Sequence, residues 1–232
     1  MAGLTCSIIE IGSGDILKKI AIICAFDEEV EYFIHKYNLE ENKRAYAFMM
    51  GENEVLLTKT GVGKVNAASA VQKVIDTFHP DYVINSGCSG AISKDLPIYG
   101  VVISDEVFYH DFYPENIMRK YTPNNGEVKA SEKLMETALK ACQLLHIEDY
   151  IVTGIATGDC YVTESGKVAE ITELGAKVVD MESAAVGHVC ALNEVPFVCI
   201  RSISDYANGT DIDEIESSRK AAKVTEQTIL LI

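Results

Sequence analysis

The chain has 232 residues, of which 48% are hydrophobic, enough for one large α/β domain. Its formal net charge of −15 argues against nucleic acid or an anionic membrane as a partner, because no basic stretch is available to neutralise phosphates. No apolar run approaches the roughly 20 residues that a membrane-spanning helix needs.

The first residues do not have the pattern of a signal peptide. Residues 1–18 lack a positively charged start and a long apolar run, and we interpret them as a flexible extension before a single domain over residues 19–232. The seven cysteines are odd in number and form no C-x-x-C pair. This usage predicts a reducing, cytoplasmic setting.

Strand-like and helix-like segments alternate along the rest of the chain. Predicted strands cover residues 20–25, 44–50, 55–59, 82–85, 101–105, 151–157, 177–180 and 197–203. Predicted helices begin within residues 26–30 and after residues 60–64, and cover residues 131–145, 165–174, 182–192 and 215–231. The last of them is predicted to be a surface helix with an apolar stripe. Without repeats or linkers, this order predicts one α/β domain in which a central mixed, mostly parallel, twisted sheet is flanked by helices.

Two stretches in the first half of the chain predict turns. Residues 51–53 predict the turn of a hairpin. Gly61 and Gly63 precede a helix, but the spacing of a P-loop is missing, so we interpret this stretch as a tight turn with close backbone approach. The apolar face of the helix that follows is predicted to consist of Val65, Ala68, Val71, Val74 and Phe78.

Small residues follow the strand at 82–85. Residues 86–91 read SGCSGA, and side chains of this size at the end of a strand allow a ligand to lie against the backbone. A plain tight turn explains the same residues equally well, so this stretch alone leaves both interpretations open.

The segment from residue 177 to residue 205 predicts strand, helix and strand. Such a unit is expected to form two parallel strands joined by a right-handed crossover, and ligands bind beyond the carboxyl ends of parallel strands. Glu182 follows the first of these strands, whereas Arg201 and Asp205 lie on or after the second. We therefore expect the chemistry of the protein at this rim.

The residue types favour chemistry based on carboxylates. The five histidines show no metal-binding spacing, no G-x-S-x-G motif is present, and nothing pairs Cys88 with a histidine. Glu29, Glu182 and Asp205 each follow a predicted strand. Cleavage of a bond between a sugar and a heteroatom needs one acid for the leaving group and one base for water, and burial raises the pKa of a carboxyl group so that it can hold a proton.

Six motifs in order make the resemblance specific. They are AFDEEV (25–30), TGVGKV (60–65), NSGCSG (85–90), SDE with YHD (104–106 and 109–111), VDME (179–182) and RSISD (201–205). Over residues 20–232 the chain resembles the 5′-methylthioadenosine/S-adenosylhomocysteine nucleosidases of the nucleoside phosphorylase superfamily. The resemblance implies a nucleoside phosphorylase-like fold that hydrolyses an adenine nucleoside without a cofactor or a metal.

The same resemblance implies roles for single residues. Glu29 matches the base that activates water, and Asp205 matches the acid that protonates adenine at N7. Glu182 matches the carboxylate that binds the ribose hydroxyls, and Met181 packs against the sugar. Asp180 receives no role in this interpretation.

The remaining matches complete the expected pocket. Tyr161 occupies the position of a ring that stacks on adenine, and the backbone of Val162 meets the edge of the base. The other expected substrate-binding residues are Arg201, Ser204, Cys88, Ser89, Gly90, Val62, Ala25 and Phe26. The aromatic stretch after Asp111 resembles a segment that reaches across a homodimer interface.

Two departures from the family pattern and three alternatives accompany this interpretation. Cys88 and Ser89 replace the usual serine and alanine, and Tyr161 replaces a phenylalanine. A purine nucleoside phosphorylase is the first alternative, although Asn85 stands where related phosphorylases carry an arginine and Glu29 would repel phosphate. A futalosine-type hydrolase and a non-catalytic nucleoside-binding protein are the others.

Overall fold

This computed structural model describes residues 17–210 and 212–232, which contain nine strands and seven α-helices. The strands are β1 (Lys19–Cys24), β2 (Ala45–Met50), β3 (Asn53–Lys59), β4 (Tyr82–Ala91), β5 (Val101–Tyr109), β6 (Glu127–Lys129), β7 (Tyr150–Thr157), β8 (Val178–Asp180) and β9 (Phe197–Asp205). The helices are α1 (Asp27–Lys36), α2 (Lys64–Phe78), α3 (Glu115–Met118), α4 (Glu132–Leu144), α5 (Ser165–Glu173), α6 (Ser183–Leu192) and α7 (Glu214–Ile229).

All the strands belong to one mixed sheet. Its order is β2-β3-β1-β4-β8-β7-β5-β6, and β9 pairs with both β4 and β5. The pairings β4–β8, β8–β7, β7–β5, β5–β9 and β9–β4 close five strands into a ring. Strands β1, β3, β4 and β9 run in one direction, and β5, β7 and β8 run in the other. The predicted α/β fold with a mixed, mostly parallel sheet is confirmed.

Helices cover both faces of the sheet, and the alternation along β1 shows how. Ile20 and Ile22 pack into one core with α1, α4 and α7, whereas Ala21 and Ile23 pack into another with α2 and α6. Successive side chains of a strand point to opposite faces, so a continuous apolar run is what a strand buried on both faces requires. A smaller third core lies under α5.

The segment at 177–205 forms the predicted elements, but their arrangement differs from the prediction. β8 and β9 are not neighbours and run in opposite directions, so the expected parallel crossover unit is wrong. Instead β4 joins them, because Gly90 pairs with both Val179 and Asp205, and Gly87 pairs with Arg201.

Three other predictions are corrected by burial and pairing. Residues 86–91 are not a turn but the second half of β4, held in place by β9 and β8. Val65, predicted to be buried, is 78% exposed, because α2 buries the neighbouring face that contains Ala67 and Val71. α7 is not a surface helix, since its small residues pack against β4 and β9 and are buried.

Two further predictions concern the ends of the chain and its turns. The hairpin of β2 and β3 is confirmed, with residues 51–52 as its turn. The extension at residues 1–18 stays a prediction, and residues 1–16 lie outside the described part. Among the described residues no helix has both the length and the apolar character to cross a membrane.

Candidate active site

A cavity of about 340 Å³ opens where β4, β8 and β9 meet. Two loops, the first turn of α1 and the first residue of α7 complete its wall. The lining side chains are Phe26, Glu29, Val62, Cys88, Ser89, Gly90, Cys160, Tyr161, Val162, Val179, Asp180, Met181, Glu182, Ser204, Asp205, Ala207 and Glu214.

A fully buried arginine lies beneath this cavity. Arg201 has no exposed surface, and its Nη1 is 3.3 Å from Glu29 Oε1. Its Nη2 is 2.8 Å from Asp180 Oδ2 and 3.8 Å from Glu182 Oε2. Asn85 Oδ1 accepts a further hydrogen bond from Nη2 at 2.6 Å. Burial disfavours the charge, but the three carboxylates outweigh it and raise the pKa of Arg201, so the guanidinium remains charged.

Glu29 is fixed by the way in which α1 begins. It is the third residue of the helix, and its Oε2 reaches back to accept the backbone N–H of Ala25, the residue before the N-cap Phe26. Its Oε1 accepts the N–H of Cys88 at 3.1 Å. Burial raises the pKa of Glu29, and Arg201 only partly offsets that rise. The carboxyl is therefore able to exchange a proton at a higher pH than an exposed glutamate.

Asp180 and Glu182 are held at the junction of β8 and α6. Both oxygens of Asp180 lie 3.2 Å from the N–H of Ser183, and the Ser183 hydroxyl also donates to Asp180. Asp180 therefore binds to the positive end of the helix dipole. Glu182 is the N-cap residue, and its Oε1 accepts the N–H of Gly63 at 2.8 Å. Burial and the neighbouring Asp180 raise the pKa of Glu182.

Asp205 ends β9 and lines the same cavity. Its Oδ1 accepts the N–H of Ala207 at 2.8 Å, and its Oδ2 lies 2.8 Å from the Ser204 hydroxyl. The residue is 3% exposed. One oxygen is thus anchored by the backbone, and the carboxyl faces the cavity from a fixed position.

The outer wall is formed by two loops. Tyr161 and Val162 follow β7, and half of the Tyr161 side chain is exposed at the mouth. Burial of its inner part, with Asp205 and Glu214 nearby, raises the pKa of Tyr161 to about 12, so its hydroxyl is neutral. Val62 lies opposite on the turn before α2, where Gly61 and Gly63 have φ angles of 93° and 96°. Such angles favour glycine and explain why this turn contains two.

Gly87 of β4 leaves room for two charged side chains. A Cβ atom at Gly87 would overlap the Glu29 carboxyl and the Arg201 guanidinium. Only glycine therefore lets these two groups approach β4 from behind. Cys88 and Ser89 face the cavity, and burial strongly raises the pKa of the Cys88 thiol, which argues against a nucleophilic thiolate.

The structure brings together most of the residues singled out in the sequence. Twelve of the fourteen line the cavity, and the exceptions are Arg201 and Ala25. Arg201 is buried beneath the cavity. Ala25 is also buried and does not line the cavity, contrary to expectation, but its N–H donates to Glu29 and its carbonyl accepts the N–H of Gly61. Dismissing Asp180 was also wrong, because it lines the cavity and pairs with Arg201.

Sequence reasoning missed four further lining residues: Cys160, Val179, Ala207 and Glu214. The first three lie within two positions of predicted residues along the chain. Glu214 had no signal of its own, because it opens a helix whose position depends on the fold. In the described residues no group of three or more potential metal ligands is found.

The charges define what this site is able to do. Three buried carboxylates share one guanidinium, so the cluster carries excess negative charge when all three are ionised. Such a cluster favours a proton on one carboxyl and stabilises a cation that develops beside it. Asp205 adds a further carboxyl group to the wall of the same cavity. The arrangement suits acid–base cleavage through a positively charged transition state.

Known proteins resemble this chain in sequence and in fold. The model of the phosphorylase superfamily matches residues 19–231. A 5′-methylthioadenosine/S-adenosylhomocysteine nucleosidase of Bacillus pumilus is 38% identical over 82% of this chain and 86% of its own. The Neisseria meningitidis nucleosidase of the same name, solved with methylthio-immucillin-A, has a TM-score of 0.79 at 30% identity, covering 92% of this chain and 99% of its own.

A third neighbour bears on the alternatives. The futalosine hydrolase of Helicobacter pylori has a TM-score of 0.81 at 24% identity and covers 93% of this chain and 99% of its own. At that identity the likeness shows the fold alone.

Proposed function

Because the chain belongs to the phosphorylase superfamily and, within it, to the 5′-methylthioadenosine/S-adenosylhomocysteine nucleosidases, we propose that it hydrolyses the N-glycosidic bond of these two nucleosides. The enzyme is an N-glycosyl hydrolase. The proposed products are adenine and the 5-thio-substituted ribose. The observation that carries this proposal is the cluster of Glu29, Asp180 and Glu182 around Arg201, with Asp205 on the wall of the same cavity.

Asp205 is the proposed acid. Its carboxyl transfers a proton to N7 of adenine, so that the base leaves as a neutral molecule. The N–H of Ala207 and the hydroxyl of Ser204 fix the orientation of the carboxyl toward the cavity.

Glu29 is the proposed base. As the C–N bond breaks, the sugar becomes an oxocarbenium-like cation, and Glu29 takes a proton from the water that attacks it. The raised pKa of Glu29 makes it a better proton acceptor than an exposed glutamate, provided that it is ionised when substrate binds. Arg201 and the N–H of Cys88 hold its Oε1, which positions the carboxylate.

The remaining residues bind the nucleoside. Glu182 accepts hydrogen bonds from the ribose hydroxyls, and Met181 packs against the sugar. Tyr161 stacks on adenine while the backbone of Val162 meets the edge of the base. The other proposed contacts come from Phe26, Val62, Cys88, Ser89, Gly90 and Ser204, all on the cavity wall.

The alternatives fit the described site less well. Phosphate binding needs several cationic donors, but no lysine or arginine lines the described cavity. Arg201 is buried, and Asn85 occupies one of its nitrogens. A futalosine-type hydrolase would share the acid and base but differ in the pocket around the base. A protein that only binds nucleosides would not need the Glu29, Glu182 and Asp205 set.

Two further proposals concern the setting of the enzyme. We propose that it works as a homodimer, since apolar side chains are exposed beside the cavity mouth, among them Val62 at 47% and Val65 at 78%. We also propose a cytoplasmic location, consistent with the free thiols of the six described cysteines.

The test is adenine release from 5′-methylthioadenosine in buffer without phosphate. We expect turnover under these conditions and a free reducing sugar as the second product. Added phosphate should leave the rate and the product unchanged. Acceleration by phosphate with formation of a sugar 1-phosphate would contradict hydrolysis and favour the phosphorylase. Parallel reactions with S-adenosylhomocysteine, 5′-deoxyadenosine and futalosine determine the substrate preference.

A further inference from the structure

Three charged side chains outside the cavity join the two loops of its outer wall. We call Lys64, Asp111 and Asp159 the latch. Lys64 Nζ lies 2.7 Å and 2.8 Å from the two oxygens of Asp111 and 3.7 Å from Asp159 Oδ2. The three residues come from the start of α2, the loop after β5 and the loop after β7. None of them lines the cavity.

Backbone hydrogen bonds reinforce this contact. The N–H of Lys64 donates to Asp159 Oδ1 at 2.8 Å, and the N–H of Asp159 donates to Asp111 Oδ2 at 2.8 Å. The N-cap of α2 is Gly63, which has no side chain to cap the helix. Asp159 therefore supplies from another loop the acceptor that an N-cap side chain normally provides, at the positive end of the helix dipole.

Each loop joined by the latch carries proposed substrate contacts. On one side, Gly63 is adjacent to Lys64 and donates its N–H to Glu182. On the other side, Tyr161 and Val162 follow Asp159 within three residues. A shift of either loop would change the position of the ribose clamp relative to the stacking ring.

We propose that Lys64, Asp111 and Asp159 are positioning residues of the active site. They fix the turn at 60–63 and the loop at 158–162 relative to each other, so that the sugar and the base are bound in one geometry. This inference rests on the proposed function, because it takes Glu182 and Tyr161 as substrate contacts.

The electrostatics explain why the latch depends on its cation. Asp111 accepts the Nζ of Lys64 and the N–H of Asp159, and these interactions outweigh burial and lower its pKa. Lys64 Nζ also lies 5.4 Å from the centre of the Tyr109 ring. Without the ammonium group, the carboxylates of Asp111 and Asp159 would face each other unneutralised and repel.

The pKa of Glu182 distinguishes a positioning role of the latch from a purely structural one. Its carboxylate faces Arg201, Asp180, Glu29 and the N–H of Gly63. The hydrogen bond from Gly63 lowers the pKa of Glu182 against the rise caused by burial. If the turn moves away, this opposing effect is lost, and Glu182 becomes protonated at higher pH.

The decisive experiment compares Lys64→Met with the wild type. We expect the KM for 5′-methylthioadenosine to rise about tenfold, the size that loss of a hydrogen bond to a charged group predicts. We expect kcat to change little and the acid limb of kcat/KM to shift to higher pH. Lys64→Arg should retain most of the wild-type KM. Lys43→Met, which removes an exposed ion pair with Glu40, is the matched control.

A second variant keeps the proposal testable if Lys64→Met does not fold. Asp159→Ala removes both the acceptor of the Lys64 N–H and the charge, and it should raise KM and shift the pH profile in the same direction. Unchanged KM and pH profile in both variants, or a loss confined to kcat, would overturn the proposal.

A failure of the proposed function can be distinguished from a failure of the latch. If the wild type releases no adenine, adenine binding to the wild type and to both variants, measured by calorimetry, still tests the latch. Weaker adenine binding by the variants then supports the latch, and equal binding overturns it.

Discussion

At the scale of single residues, the site depends on one arginine neutralised by several carboxylates. Arg201 is fully buried, and Glu29, Asp180 and Glu182 lie within 4 Å of its nitrogens. A buried charge is tolerated only when it is paired and hydrogen-bonded, so removal of any partner leaves an uncompensated group. The cluster is therefore more sensitive to substitution than the apolar wall around it.

Asp205→Asn tests the proposed acid directly. The asparagine keeps the size of the side chain and its oxygen still accepts the N–H of Ala207, but it has no proton to transfer to the base. We expect kcat to fall by about 10²- to 10⁴-fold, the range for loss of general acid catalysis, while substrate binding changes little. Adenine release measured by absorbance, together with calorimetric binding of the nucleoside, separates the two effects.

The control for this variant is Asp76→Asn, an exposed side chain of α2 that hydrogen-bonds Gln72 on the same helix. It should leave both kcat and binding at wild-type values. Near wild-type turnover by Asp205→Asn would show that another group protonates the base.

Which residues belong to the site could be predicted better than the contacts that each of them makes. Glu29, Glu182 and Asp205 were found because each belongs to a short motif at the end of a predicted strand. Asp180 was discarded, although it lies two residues before Glu182 in the same motif. Nothing in its sequence position indicates that it pairs with Arg201, because that contact depends on how β8 packs against β4.

At the scale of elements, α1 and α7 are joined by a buried carboxylate of α7. Glu226 Oε2 accepts hydrogen bonds from the Tyr32 hydroxyl and the Lys36 ammonium group at 2.6 Å each. Its Oε1 accepts a hydrogen bond from the Tyr37 hydroxyl at 2.5 Å. Burial opposes the charge, but these three hydrogen bonds outweigh it and lower the pKa of Glu226. Since α1 also carries Glu29, this contact supports the proposed base from outside the cavity.

Glu226→Gln should therefore destabilise the fold in a pH-dependent way. A neutral amide accepts these donors less strongly, and we expect the free energy of unfolding to fall by about 1–3 kcal/mol at pH 7. Because the pKa of Glu226 is lower in the folded state, its contribution is present above the unfolded pKa of about 4.3 and is lost as pH falls through the folded pKa. The difference between variant and wild type should thus shrink in acid.

Urea unfolding at pH 7 and near pH 4 measures this difference. Glu170→Gln is the control, because its pair with Lys167 is exposed on α5 and should contribute little at either pH. An effect of Glu226→Gln that is equal at both pH values would contradict the electrostatic account.

Element type was largely predictable, and element ends were less so. The apolar run at 197–203 predicted a strand, but β9 continues through Ser204 and Asp205, whose polar side chains conceal it. The polar positions of α7 predicted a surface helix, yet Ser217, Ser218 and Thr225 are buried. In both cases tertiary packing covers polar residues that a periodicity argument assigns to solvent.

At the scale of the whole molecule, one pair of helices presents an uncovered apolar surface. Gln72 of α2 and Asn193 after α6 exchange side-chain hydrogen bonds, which holds the two helices together. Val65 lies two turns before Gln72 on the same row of α2, and Leu192 is 65% exposed at the end of α6. Val65 follows Val62 of the cavity wall by three residues, and this end of α2 is where we place the proposed dimer contact.

Val65→Asp should weaken that dimer. A carboxylate buried between two apolar surfaces would lose its hydration without gaining a partner, so we expect a shift toward monomer in sedimentation experiments and a higher KM. Leu144→Asp, which changes an exposed leucine at the end of α4, is the control and should leave both unchanged. A monomeric wild type, or an unaltered dimer of Val65→Asp with wild-type KM, would exclude this interface.

The class of fold could be predicted, but its closure could not. Alternating strands and helices predict a mixed sheet with helices on both faces, and the structure has one. The pairing of β9 with both β4 and β5 is not encoded in hydrophobic periodicity, which gives the faces of a strand but not its neighbours. The prediction that β8 and β9 run parallel was wrong for this reason.

The closed ring also constrains how the protein reaches its active state. The pairing of β5 with β9 joins residues about a hundred positions apart, and contacts of such long range slow folding. Arg201 arrives with β9, so until that strand docks, Glu29, Asp180 and Glu182 have no arginine to neutralise them. A nascent chain that still lacks β9 therefore has neither a closed ring nor a balanced cluster. During refolding, catalytic competence should be regained in the same kinetic phase as the native fold.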